Sequence, residues 1–245
     1  MRVISRALSS LLVLAFLGAT PSASGQAAQP TTNPAVVEVR QTLDAARKEI
    51  LAYRAGGGRA GAADHPAVTW QATLWEYRQR YTGSEAAALA TAEAIQLLVR
   101  AELWEQAHAR IDSLSSDDLA WERLAGYLYV EGSLRRDFAY AVAKLSEVAA
   151  GSLNASIKSA ALLALGRSQR RQGDHAAAVK TLETARDAAP GSASAQEADG
   201  ILYEIANLSV GLVAPGFSGK SRTGRTIDLA GLRGSAVVLV FWAST

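Results

Sequence analysis

Three histidines, His65, His108 and His175, are the side chains in this sequence best suited to metal or acid–base chemistry. They are scattered. The local signature of a zinc site is a pair of ligands at metal-binding spacing, as in H-x-x-x-H or H-E-x-x-H, and none of the three has such a neighbour. Cysteine is absent from the 245 residues, which excludes disulfides, cysteine-held zinc, iron–sulfur ligation and thiolate nucleophiles in this chain. The glycine-rich stretch 56–66, GGGRAGAADHP, has no lysine and lacks the G-x-x-x-x-G-K-[ST] spacing of a phosphate-binding loop, so it reads as a flexible connection. The sequence therefore assigns no catalytic, cofactor-binding or metal-ligating residue within this chain.

The elements around these residues are predominantly helical. Half of the chain (49%) is hydrophobic and 20% is charged, a balance that fits a packed globular protein and not a disordered one. Alanine, the best helix former, makes up 50 of the 245 residues. The pI of about 9.0 invites a nucleic-acid reading, but the N-terminus changes the arithmetic. Arg2 and Arg6 precede the apolar run LLVLAFL at 11–17, and small residues follow up to Gly25. This is the order of a secretory signal peptide, with cleavage expected after Gly25; a buried N-terminal helix is the alternative. Removing residues 1–25 takes away two arginines and no acid, leaving 23 basic and 23 acidic residues. No basic stripe then remains to neutralise phosphates. No stretch reaches the roughly 18 apolar residues of a membrane span. The expected location is thus the periplasm or the extracellular space.

Residues 26–33 read as a linker. Asn33-Pro34 then gives a helix start, followed by Val36, Val39, Leu43, Ala46, Ile50 and Tyr53 at spacings of three and four, as far as Gly56. Further helices follow to residue 208. Their expected starts are Ser84, Ser116 or Asp117, Asn154 and Asp174, with Ser194 and Glu197 as a capping box. Gly132 and Gly151 are expected stops. Trp70, Trp75, Trp104 and Trp121 sit among Leu and Ala at helical spacing and are expected to pack between helices. The charged run 167–171 is expected to be a solvated helix face.

The segment 159–192, SAALLALGRSQRRQGDHAAAVKTLETARDAAPGS, resembles a tetratricopeptide repeat at most of its small and apolar positions, and departs at Gln169, where an aromatic is usual. Gly166 and Ala178 are expected to face each other where the two helices approach. Weaker half-units occur at 104–111 and 138–145. Residues 34–208 are accordingly expected to form a TPR-like helical domain, an α-solenoid whose region 67–208 holds about three helix pairs. An unrelated helical bundle is the alternative.

After Asn207 the texture changes. Residues 226–229 read as a short strand, and 235–242, with AVVLVF at its centre, as a continuous apolar strand of the kind buried in a sheet. In order, Ala214-Pro215-Gly216-Phe217, Gly224, the segment LAGLRG at 229–234 and Phe241-Trp242-Ala243-Ser244 resemble the opening of TlpA/ResA-like members of the thioredoxin superfamily. Ser235 stands where lysine is usual. The resemblance implies that residues 209–245 are the N-terminal fragment of a thioredoxin-like α/β domain. It also implies a C-x-x-C motif shortly after F-W-A, where a helix N-terminus lowers the thiol pKa. The chain reaches Thr245 without it, so the sequence is expected to be the first part of a longer exported thiol–disulfide oxidoreductase, inactive by itself. Its expected partners are a protein docked on the helical repeats and, for the complete protein, a thiol or disulfide protein substrate. The alternative is a non-enzymatic periplasmic scaffold of TPR type.

Overall fold

The computed structural model describes residues 33–240 and the backbone of Leu12–Leu14. The expected signal peptide, apart from that strand, the linker up to residue 32 and the F-W-A-S motif lie outside the described residues. The chain forms two units, Pro30–Ile205 on one hand and Met1–Gln29 with Ala206–Thr245 on the other. The described residues are mainly helical.

The larger unit is built from α1 (Pro34–Ala55), α2 (Ala67–Arg80), α3 (Glu85–Arg100), α4 (Trp104–Asp112), α5 (Trp121–Arg135), α6 (Ala139–Gly151), α7 (Ala155–Gln172), α8 (His175–Ala188) and α9 (Ala193–Asn207). Polar caps set many of the starts. Asn33 accepts from the Ala35 N–H, Ser84 from Ala87, Asn154 from Ser156 and Ile157, and Asp174 from Ala177. Each cap satisfies a backbone donor that has no partner inside its helix. Helices α1, α3, α5 and α7 touch in succession, with α2 and α4 against α3, α6 against α5 and α7, and α8 on α7. Helix α3 is buried almost all round, as its run of alanines with Leu89, Ile95 and Leu98 requires. On α1, Val36, Val39, Leu43 and Ala46 form the inward stripe, with Ile50 and Tyr53 half-buried. Trp121 lies in the core, and Trp70, Trp75 and Trp104 pack against its margin. Among the described residues no helix is long and apolar enough to cross a membrane.

Several expected boundaries are corrected. Gly132 does not stop a helix. It lies inside α5, where an added Cβ would come 2.4 Å from Cδ1 of Phe138, so the glycine makes room for that ring. The helix ends at Arg136, in the left-handed region with φ 56°. Ser194 and Glu197 do not form a capping box. Ser192 accepts from the Ala195 N–H instead, and Glu197 is drawn to Arg167. Neither Ser116 nor Asp117 caps α5; the Ala120 N–H donates to Asp118, in the turn before the helix.

Asp117 works across the chain. Its carboxylate accepts from the Ser152 hydroxyl at 2.8 Å, the Leu153 N–H at 2.8 Å and the Asn154 N–H at 3.3 Å, and so organises the turn between α6 and α7. The Ser152 bond, then the backbone donors, hold the carboxyl below the usual aspartate range. A carboxylate with a depressed folded pKa adds stability above its unfolded pKa and loses it as the pH falls through the folded value. Asp117→Ala should therefore destabilise the protein at neutral pH, with the gap to wild type closing below about pH 4. Urea unfolding at neutral and acid pH measures this. A gap of equal size at both would show that the charge of Asp117 plays no part.

The smaller unit contains β1 (Leu12–Leu14), β2 (Ser218–Lys220), β3 (Thr226–Asp228) and β4 (Val237–Leu239). β2 and β3 pair antiparallel, with Gly219 opposite Ile227. Their turn is closed by the Gly224 N–H on the Ser221 carbonyl at 2.9 Å, and Gly224 has φ +80°, which glycine adopts without strain. β4 pairs with β1, in parallel, with Val238 opposite Val13. Two sequence expectations differ here. The strand β2 has no sequence signal, because its residues SGK carry no apolar alternation. The run at 235–242 is not a buried strand over its described part, since Val238, Leu239 and Val240 are exposed. A continuous apolar strand is buried only when layers cover both of its faces.

Candidate functional site

The segment with the family resemblance is laid out in motif order. The Phe217 carbonyl accepts from the Leu229 N–H, which joins the A-P-G-F end to the L-A-G-L segment across the hairpin. Residues Leu229–Leu232 form a 3-10 turn whose start is capped by Asp228, which accepts from the Ala230 N–H at 2.9 Å. The chain then enters β4. No thiol stands anywhere in the sequence, so this segment carries no thiolate nucleophile.

A concentration of ionisable groups lies in the helical unit, where α4, α5 and α6 meet. Glu131 is 2% exposed, and its Oε1 faces His108 Nε2 at 2.5 Å and Arg135 Nη1 at 3.0 Å, while Oε2 has no partner. The His108 ring stacks on Tyr140 at 3.5 Å and 17°. Tyr140 donates its hydroxyl to Asp112 at 3.0 Å, and Lys144 bonds the same carboxylate at 2.9 Å. Burial, then the Asp112 bond, pushes the Tyr140 hydroxyl far up, so it stays a donor. Burial works against the Asp112 carboxylate, but the bonds from Lys144 and Tyr140 outweigh it and leave its pKa lowered. Two sets of contacts cross between helices, His108 on α4 to Glu131 on α5, and Tyr140 and Lys144 on α6 to Asp112 on α4, while Arg135 meets Glu131 within α5. The arrangement holds three helices in register, and removing His108 or Arg135 would deprive the buried Glu131 carboxylate of a partner. Each helix supplies an i,i+4 pair, His108 with Asp112, Glu131 with Arg135 and Tyr140 with Lys144. That spacing is visible in the sequence, but the meeting of the three pairs is not.

A second polar face lies between α7 and α9. Arg167 reaches Glu197 at 2.6 Å and lies 4.6 Å over the Tyr129 ring, and Arg170 bonds Glu204 through both terminal guanidinium nitrogens. The run 167–171 is thus not merely a solvated face, because two of its arginines tie α9 to α7. Beside them is an open cavity of about 450 Å³ lined by Tyr129, Arg171, His175 and Ile201, among others.

The three histidines do not converge. His108 belongs to the Glu131 cluster, His175 is exposed at the start of α8, and His65 is buried in the loop before α2. Comparison with protein-family models, with curated proteins and with solved structures gives no match.

Proposed function

We propose that this chain is the N-terminal portion of an exported thioredoxin-like thiol–disulfide oxidoreductase, with residues 34–208 as a TPR-like module that docks a protein. What carries the reading is the motif order in the tail: A-P-G-F at 214–217, the turn at Gly224, LAGLRG at 229–234, then an apolar strand leading to Phe241-Trp242-Ala243. The described part of that segment runs as hairpin, 3-10 turn and strand in the same order. For the docking module, the support is the contact of α1, α3, α5 and α7 in succession and the close approach of α7 and α8 at Gly166. Export rests on the charged, apolar and small-residue order of residues 1–25, with the mature chain starting at Gln26. A second reading, a non-enzymatic scaffold, is favoured by one observation, the complete lack of cysteine in these residues.

Mass spectrometry of the protein isolated from the cells that make it tests both parts. The expected result is a peptide beginning at Gln26 and a peptide that continues past Thr245 into a C-x-x-C motif. An intact Met1 would remove the export reading. A native protein without that pair of cysteines would leave the scaffold as the function.

A further inference from the structure

His65 sits in the loop between α1 and α2, 2% exposed. The loop is pinned to the end of α3 by the Gly61 N–H on the Ala101 carbonyl at 2.6 Å, and Tyr53 meets the His65 ring edge-on at 4.9 Å. The Ala67 N–H donates to His65 Nδ1 at 3.1 Å. A backbone N–H can only donate, so Nδ1 holds the lone pair and the neutral ring carries its proton on Nε2. Burial, then Arg54, lowers the imidazole pKa against the opposing pull of Asp64, which keeps the ring neutral near pH 7. Nε2–H is thus a buried donor, and it has no partner.

His65 lines a cavity of about 400 Å³ between α1 and α3. Three arginines line it too: Arg47 and Arg54 from α1 and Arg100 from α3. Arg100 has no carboxylate partner among the described residues. The acid at the cavity, Glu93, is already engaged by the Tyr127 hydroxyl at 3.2 Å and by Arg47 at 4.0 Å. Tyr127 stays a donor, its pKa pushed up to about 12 by burial and by Glu93. The remaining wall is mostly aliphatic, with Ile50, Leu51, Leu97 and Ala101 beside the amide of Gln96. An unfilled N–H donor, an excess of guanidinium charge and an aliphatic wall together describe what the space accepts.

The structure assigns this cavity as a binding site for a small organic acid, whose carboxylate accepts from the His65 Nε2–H and the arginines while its aliphatic body lies along Ile50 and Leu97. The site is independent of the thioredoxin-like reading of the tail. It gives the orphaned nitrogen of His65 an acceptor in a cavity that three arginines also line.

Calorimetric titration of the full chain with hexanoate tests it, with hexanol and inorganic phosphate as the uncharged and the body-free probes. Hexanoate should bind saturably, one per chain, and shift the His65 Nε2–H proton resonance. Arg100→Gln, at an exposed position, should melt like wild type and bind hexanoate about tenfold more weakly, the loss of one charge-assisted bond. Lack of saturable binding, equal binding to Arg100→Gln, or an unmoved His65 resonance would each overturn the assignment. Hexanol binding as tightly would overturn the carboxylate contact, and phosphate binding as tightly would overturn the organic acid.

Discussion

Replacing Trp121 by alanine should lower stability by about 3–5 kcal/mol, the cost of removing a large aromatic from a closed core. In a domain of this size that is a fall of roughly 6–20 °C in melting temperature. Trp121 opens α5, is fully buried, and donates its indole N–H to the Ser115 carbonyl at 2.9 Å. The ring fills the space where α5 joins the core, and its polar edge fixes the turn before the helix. Truncation removes both and leaves a cavity that the close-packed helices cannot collapse into. Trp121→Phe keeps most of the apolar area and loses the hydrogen bond, so it should fall between the two. Thermal unfolding by circular dichroism measures the series. An alanine variant that melts with wild type would show that this junction contributes nothing to the stability of the helical unit.

Gly166→Leu should destabilise by about 1–3 kcal/mol through overpacking. A Cβ at Gly166 would lie 2.8 Å from Cγ and 2.9 Å from Cδ2 of Leu182, and 3.4 Å from the Ala178 carbonyl oxygen. Leu182 is fully buried, and Cγ is the branch point of its side chain, so the leucine has no free direction in which to yield. Even Gly166→Ala should therefore destabilise, although alanine is favoured over glycine in a helix by about 1 kcal/mol. Gly200→Ala is the control, because nothing lies within 4 Å of its Cβ position in α9. That change should be neutral or stabilising. Adding Leu182→Ala should rescue part of the Gly166→Ala loss, since the two side chains compete for one space. A Gly166→Ala variant as stable as Gly200→Ala would mean that α7 and α8 are not in contact at this point.

The positions of the helices were legible in the sequence because helix starts are local chemistry. Asn33, Ser84, Asn154 and Asp174 cap where they stand, since a side-chain oxygen can reach a backbone N–H two or three residues on whatever the rest of the chain does. The inward stripe of α1 and the close approach at Gly166 were likewise written in residue size and spacing. The failures share one cause. Gly132 reads as a stop until Phe138 is seen to occupy the space above it, and Asp117 reads as a local cap until its partners prove to be residues 152–154. Ser194 and Glu197 carry the spacing of a capping box, but Arg167 on another helix is the stronger partner for the glutamate. The three i,i+4 pairs around Glu131 can be found by counting, but only the packing of α4, α5 and α6 brings them to one place.

In the tail, the glycine turn and the strand-forming run follow from local residue types, while pairing depends on which backbone edges come within reach, so that β3 pairs with β2 and β4 with β1. The His65 cavity lies at the far end of this scale. A lone histidine in a glycine-rich loop carries no local signal. Its orphaned N–H acquires meaning only from arginines 18 and 11 residues earlier and 35 residues later in the chain, brought beside it by the packing of α1 against α3. Caps and apolar stripes act over a turn of helix and can be read from neighbours in sequence. Charge clusters and cavities are made of neighbours in space, and only the folded chain decides which those are.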